Sequence, residues 1–529
     1  MGVILLITGL VLLIFILRAA WVTFSWYYWI PRRIRRVMAK QGVHGPKPKF
    51  LVGNLKDSAA LVTSSTSSDM ESISHDIVGR LMPHYVLWSK LYGTPISSPA
   101  LSLSLSLSTF IYWYGSEPRL CLTDPDIIRE LLSSKYVQVS GKSWTQRQGS
   151  KHFIGQGLLM ANGSNWNHQR HVVAPAFMAD KLKTRVGYMV DCTNRLITSL
   201  RDAVGSGNDE VEIGAYLTRL TGDIIAGTEF GSSYENGRQI FQLLEQLQNL
   251  TARTSRYIWI PGNRFFPSKF SREIKELNRK VGKLLMDSIQ SRRDVAEIGR
   301  SSSYGNGLLA TLLAETQKRT NGFSYSLQLV IDECKTFFFA GHETSALLLT
   351  WAMMLLATNP AWQEKARAEV AQVCGDDPPS WEHLPKLTVL NMIINETLRL
   401  YPPASLLPRM AFEDIKLGDL HIPKGLSLWI PVLAIHHDEE IWGRDAHEFK
   451  PERFAGKSFS INRYFLPFAS GPRNCVGQTY AMMEAKIVLA MLLSSFSFTI
   501  SKNYRHAPIN VLTLRPKHGV PIHLTPLKP

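Results

Sequence analysis

The chain has 529 residues, 45% of them hydrophobic, which supplies a large core and excludes a disordered chain or a small disulfide-stapled scaffold. Lysine and arginine number 59 against 43 acids, and the resulting +16 would by itself suit nucleic acid, an acidic protein or an anionic membrane. The excess is uneven: no acid precedes Asp57, whereas Arg18, Arg32, Arg33, Arg35, Arg36, Lys40, Lys47 and Lys49 carry eight charges, half of it.

Residues 1–30 are expected to form a membrane anchor. Gly2 to Leu17 is almost wholly apolar, and after Arg18 the uncharged run resumes to Ile30 with Trp21, Trp26, Tyr27, Tyr28 and Trp29, an aromatic belt for one spanning helix. The long stem of Arg18 lets its charge snorkel to the interface. The positive cluster follows the apolar run instead of preceding it, which argues against a cleaved signal and keeps everything after Pro31 on the cytosolic side. Residues 31–49 are basic and include Gly45-Pro46-Lys47-Pro48, where two prolines without amide donors predict a stiff hinge.

Residues 50–529 read as one domain, mainly α with small β-sheets, since most of the chain alternates polar and apolar residues at helical spacing. Residues 94–109 stand apart: Thr94-Pro95-Ile96-Ser97-Ser98-Pro99-Ala100 leads into alternating leucine and serine, and no charge occurs from Leu91 to Ser116. As a connection it is long. A repeating CT tract encodes such alternation, which points to retained intron sequence in preference to a functional loop. Strands are expected at Phe110–Tyr114, Arg119–Leu122 and Leu417–Ile430 with a turn at Pro423-Lys424-Gly425. Another pair, Asn510–Leu514 and Val520–Leu524, would flank a turn at Lys517–Gly519. Gly305 to Ala310 has dinucleotide-loop glycine spacing but follows a serine-rich loop and not a strand, which removes that reading. Cys121, Cys192, Cys334, Cys374 and Cys475 are widely spaced and odd in number, fitting a reducing compartment and no zinc site.

A long helix is expected from Leu327 to Ala357. Phe337–Ala357 is apolar enough to span a membrane, but Asp332, Glu333, Lys335, His342 and Glu343 favour a buried core helix. Its polar interruption, Ala340-Gly341-His342-Glu343-Thr344-Ser345, contains a glycine that costs about 1 kcal/mol relative to alanine in mid-helix, a mark of close ligand approach or of a tolerated core glycine. The strongest local signal is Phe468-Ala469-Ser470-Gly471-Pro472-Arg473-Asn474-Cys475-Val476-Gly477, followed by a helix start at Thr479 to Ala485. Amides at that start would lower the thiol pKa and donate to its sulfur, making Cys475 a thiolate ligand; a structural buried cysteine is the alternative.

This decapeptide completes the pattern Phe-x-x-Gly-x-Arg-x-Cys-x-Gly and resembles the haem-binding loop of cytochrome P-450 monooxygenases. Glu396-Thr397-Leu398-Arg399, Pro451-Glu452-Arg453-Phe454 and Ala340 to Ser345 resemble three further motifs of that family, in its order. The resemblance implies the cytochrome P-450 fold behind a single N-terminal transmembrane helix, haem b with Cys475 as axial iron ligand, and Phe468 in the haem loop. It implies propionate partners Trp166, Arg170, Arg409 and Arg473, and a charge network of Glu396, Arg399 and Arg453. Thr344 with Glu343 would deliver protons, and Gly341 would open the helix wall where oxygen binds. With no nicotinamide site of its own, the chain would draw electrons from NADPH through a separate NADPH–cytochrome reductase at the endoplasmic reticulum membrane, and nucleic acid drops out as a partner.

Within the family, His75 to Tyr85, Asp332 to Thr344, Leu406 to Asp414 and Asn503 to Pro508 resemble plant cytokinin trans-hydroxylases, which implies a small-molecule substrate, an isopentenyladenine nucleotide. Lys142, Arg147 and Lys151 are the candidate phosphate contacts. Plant hydroxylases of brassinosteroids, gibberellins or triterpenoids share part of the pattern, and a haem protein that rearranges peroxides or merely binds haem is the reading from another class.

Overall fold

The apolar N-terminal run forms helix α1 (Gly2–Phe24) in the computed structural model, which describes residues 2–93, 109–231, 234–255, 269–298, 307–318, 325–456 and 463–527. The leucine–serine insertion lies outside these residues except for Thr109, as do Gly305 and Asn306 of the glycine pattern. Leucines, isoleucines and aromatics of α1 have no protein cover, and among the described residues this is the one helix long and apolar enough to cross a membrane. A π-helical turn over the aromatic residues Ser25–Trp29 carries it without interruption into α2 (Ile30–Ala39), whose Pro31 lies in the first turn, where a missing amide costs little.

The segment expected to be a hinge is docked. Ile34 and Met38, one turn apart, are fully buried against the five-stranded sheet, while Arg32, Arg33, Arg35 and Arg36 occupy the exposed face. Further on, the Ile111 amide donates to the His44 carbonyl at 3.0 Å. Gly45 lies so close to this strand that a Cβ would fall 1.7 Å from the Ile111 carbonyl oxygen. The prolines do stop the helix, but the extended backbone that results pairs with a strand, so residues 31–49 brace the anchor against the globule.

Strands β1 (Phe110–Tyr114), β2 (Glu117–Cys121), β3 (Ser140–Gly141), β4 (Glu210–Glu212), β5 (Leu407–Ala411), β6 (Ile415–Leu417), β7 (Leu420–Ile422), β8 (Ser427–Ile430), β9 (Phe496–Ile500), β10 (Pro508–Val511), β11 (Thr513–Pro516) and β12 (Pro521–Pro526) form small sheets in a mostly helical molecule. The largest has the order β1-β2-β8-β5-β3, with β2 and β8 parallel. The C-terminal pairing differs from the expected hairpin. The chain reverses at Leu512, in the left-handed region at φ 67°, so that β10 pairs with β11. β12 instead joins β4 and β9, because Ile522 and Leu524 alternate into the main core beside Phe496 and Phe498.

The helices that shape the site are α3 (Gly163–Val173), α4 (Ile213–Ile225), α5 (Tyr234–Ser255), α6 (Leu327–Thr358), α7 (Thr388–Leu400) and α8 (Gln478–Ser495). Ser326 caps α6 by accepting from the Leu329 amide. As its polar residues required, α6 is a buried core helix and each of them has a protein partner. Asp332 accepts from the Gln156 amide and Glu333 from the Leu158 amide, both at 2.9 Å, while the Lys335 ammonium donates to Asn278 at 2.6 Å. These bonds clamp the 156–158 loop onto the helix.

Glu396 and Arg399 are completely buried on α7. Arg399 donates to both Glu396 oxygens at 2.7 Å and to the carbonyls of His436 and Ala446 at 2.8 and 2.7 Å. Arg453 approaches the same carboxylate at 3.5 Å and pairs with Asp445 at 2.7 Å. The motif is thus a buried clamp tying α7 to the 436–453 segment. Arg399→Ala is expected to destabilise the domain by about 3–5 kcal/mol, since it strands the Glu396 carboxylate, and a denaturant titration checks it.

Candidate active site

The loop before α8 is held by its own backbone. Ala469 and Gly471 take positive φ, 58° and 70°, and a Cβ at Gly471 would lie 1.9 Å from the Leu132 carbonyl oxygen, so glycine is required there. The Cys475 amide donates to the Phe468 carbonyl at 2.9 Å, which closes the turn and presents the cysteine. Cys475 opens onto accessible space while protein atoms crowd around it. This crowding pushes its thiol pKa up, and the Gly477 amide and the Arg170 guanidinium pull the other way by favouring the thiolate. The amide contribution expected from the helix start is therefore present. The other four cysteines are buried.

Beside this loop the chain collects cations on which, among the described residues, no acid acts. Arg473 lies with its guanidinium 4.5 Å from the Trp166 ring centroid and donates to the Ala161 carbonyl, yet its Nε and Nη2 have no partner. Arg409 is buried on β5, and its recorded hydrogen bond goes only to the neighbouring Pro408 carbonyl. Burial lowers the pKa of Arg409 to about 10, and burial with the Arg409 charge lowers that of Arg473 to about 9. Lys142 falls to about 7 through burial and through the charges of both arginines. Lys142, expected beside Arg147 and Lys151 at a substrate phosphate, thus belongs with Arg409 and Arg473, because β3 pairs with β5 and brings residue 141 against Met410. Arg170 is occupied differently: it donates to the Asn474 carbonyl at 2.9 Å and to the Asn474 side chain at 2.8 Å, bracing the cysteine loop from α3. Three mutually repelling cations with orphaned donors suit a ligand bearing two negative charges, next to a thiol free to bind a metal.

On α6 the expectations are partly corrected. A Cβ on Gly341 would meet Ile225 of α4 at 2.8 Å, so this glycine permits close packing of two helices and does not turn its face to an open wall. The Thr344 hydroxyl donates to the Ala340 carbonyl at 2.6 Å. Glu343 does not turn toward Thr344: its carboxylate accepts from Thr513 at 2.6 Å and pairs with Arg515 of β11. It borders a cavity of about 250 Å³ also lined by Glu212, Phe241, His342, Thr350 and Arg515. Burial depresses His342 to about 4, so this ring is neutral at physiological pH.

Asn474, Thr513 and Arg515 were not legible as site residues. The last two lie 170 or more residues from Glu343 in sequence, and nothing in their spacing announces the contact. Arg515→Leu is expected to cost about 1–3 kcal/mol by leaving Glu343 with Thr513 alone, and the Glu343→Gln, Arg515→Leu double variant should regain most of it. Urea unfolding of the four proteins measures the coupling.

Comparison with known proteins agrees with this geometry. The family model described as cytochrome P450 matches residues 107–521. Two Arabidopsis thaliana proteins named cytokinin hydroxylase are each 58% identical to this chain over 97% of it and 96% of their own length. A third relative from the same plant, cytochrome P450 734A1, is 38% identical over 94% of this chain and 93% of its own. A thiol presented on a glycine-shaped turn, cations awaiting a dianion and a full-length match together make this chain a member of the cytochrome P450 family.

Proposed function

We propose that the chain hydroxylates the prenyl side chain of isopentenyladenine nucleotides as a haem-thiolate monooxygenase. What carries the reading is the Cys475 loop, whose Arg473 meets Lys142 and Arg409 with no acid among the described residues acting on the three cations. Full-length relatives at 58% identity that are named cytokinin hydroxylase support the substrate class.

These residues fit haem b: Cys475 would ligate its iron, Phe468 would lie in the loop behind it, and Arg409, Arg473, Lys142 and Trp166 would take its propionates. When bound, haem supplies dioxygen activation, with the thiolate as the electron-rich ligand that favours oxygen–oxygen scission. The protein does the rest. The Gly477 amide and Arg170 favour the ionised sulfur against the burial that opposes it, and Asn474 fixes Arg170 in that task. Thr344 would pass a proton from its hydroxyl, which donates to the Ala340 carbonyl, while Glu343, held by Arg515, borders the 250 Å³ cavity. Arg147 and Lys151 remain the contacts for the nucleotide phosphate.

Electrons would come from NADPH through a separate reductase whose acidic surface meets the basic cytosolic face, with α1 fixing the enzyme in the endoplasmic reticulum membrane. Microsomes containing the chain, the reductase and NADPH are expected to convert isopentenyladenosine monophosphate to its trans-hydroxylated product; absence of product with an intact haem spectrum would refute the substrate. Cys475→Ala should abolish the thiolate-type absorbance of the reduced carbon monoxide complex. Lys142→Met should release haem faster on dilution while leaving that absorbance type unchanged.

A further inference from the structure

The proximal helix α8 carries a buried acid that the mechanism does not use. Glu484 is 1% exposed, and among the described residues neither of its oxygens makes a hydrogen bond of ordinary geometry. The polar group set against it is the hydroxyl of Ser345, itself buried on α6 and directly following Thr344. One turn earlier on α8, the Tyr480 hydroxyl is engaged with Thr228 at 2.8 Å. The acid beyond it, Glu229, is already paired with Arg185. No cation is among the groups that act on Glu484.

An ionised carboxylate buried without a cation and faced by a single hydroxyl costs several kcal/mol, so the group keeps its proton. A neutral acid then has one hydrogen to place, and the available acceptor is Ser345. We propose that Glu484 is a neutral carboxylic acid whose O–H donates to Ser345, and that through Ser345 it positions the turn of α6 that carries Thr344. It is a positioning residue, reaching the reaction space from the proximal helix. Burial pushes its pKa from 4.5 to about 8, opposed by Ser345, which agrees with this protonation state. In linkage terms the folded chain holds this proton more tightly than the unfolded one. The contribution to stability is therefore complete below about pH 4.5 and declines as pH rises toward about 8.

The test uses the full-length holoenzyme and its Glu484→Gln and Glu484→Leu variants. The amide of Gln donates as the acid does, so Gln should keep wild-type product formed per NADPH consumed, whereas Leu should lose on the order of tenfold while retaining its haem spectrum. In the infrared, the protonated-carboxyl carbonyl band present at neutral pH in the wild type should lose its Glu484 component in Gln, leaving that of Glu229 and Glu333, and Gln should flatten the fall in stability between pH 4.5 and about 8. The proposal is overturned if Gln leaves that band unchanged, if Gln uncouples as much as Leu, or if Leu merely lowers the melting temperature with coupling intact. The coupling arm rests on the monooxygenase reading. The infrared and stability arms do not, so inactivity of the wild type would count against that reading alone.

Discussion

Positive charge buried without a counter-anion is the constraint from which the architecture around the site follows. Lys142, Arg409 and Arg473 come from three distant parts of the sequence; burial lowers the basicity of all three, the Arg409 charge adds to this at Arg473 and both arginines at Lys142, and among the described residues no acid acts on them. A folded chain left to itself would pair or expel such groups. Such a cluster suits an anionic ligand, and Arg473 lies on the same loop as the Cys475 thiol. Arg170 is instructive by contrast, because its donors are spent on Asn474, which turns a cation into a brace for the loop.

Rigidity on the proximal side comes from the opposite arrangement. Around Glu396 the charges meet opposite charges and backbone: two arginines, five carbonyls and an amide close the network, so burial of the ions produces a clamp and not a ligand site. The same residue types thus serve two purposes according to whether an acid is within reach. Helix α6 joins these regions. Its apolar stretches pack in the core, its N-terminal acids hold the 156–158 loop, and its central turn is pulled toward the C-terminal hairpin by Glu343 and toward α8 by Ser345.

The anchor is part of the same mechanical unit. Because Ile34 and Met38 are buried against the sheet and Gly45 is wedged beside Ile111, α1 leaves the globule in a fixed direction, with the basic face of α2 at the point of exit. The direction in which this apolar helix leaves the globule is thereby set by side-chain packing.

The sequence by itself determined the anchor, the mainly helical class, the buried nature of α6, the thiolate loop and the Glu396–Arg399 motif, because these are local: hydrophobic period, helix-start chemistry and short spacing are all written within a few turns of chain. Only the tertiary structure decided which partners those residues meet. Gly341 faces Ile225, Lys142 leaves its loop neighbours for two arginines, Glu343 turns to Thr513 and Arg515, and β12 abandons the expected hairpin for β4 and β9. Each of these is a contact between segments far apart in sequence, chosen by competition for core space and for the few charges within reach, and no local pattern records the outcome of that competition.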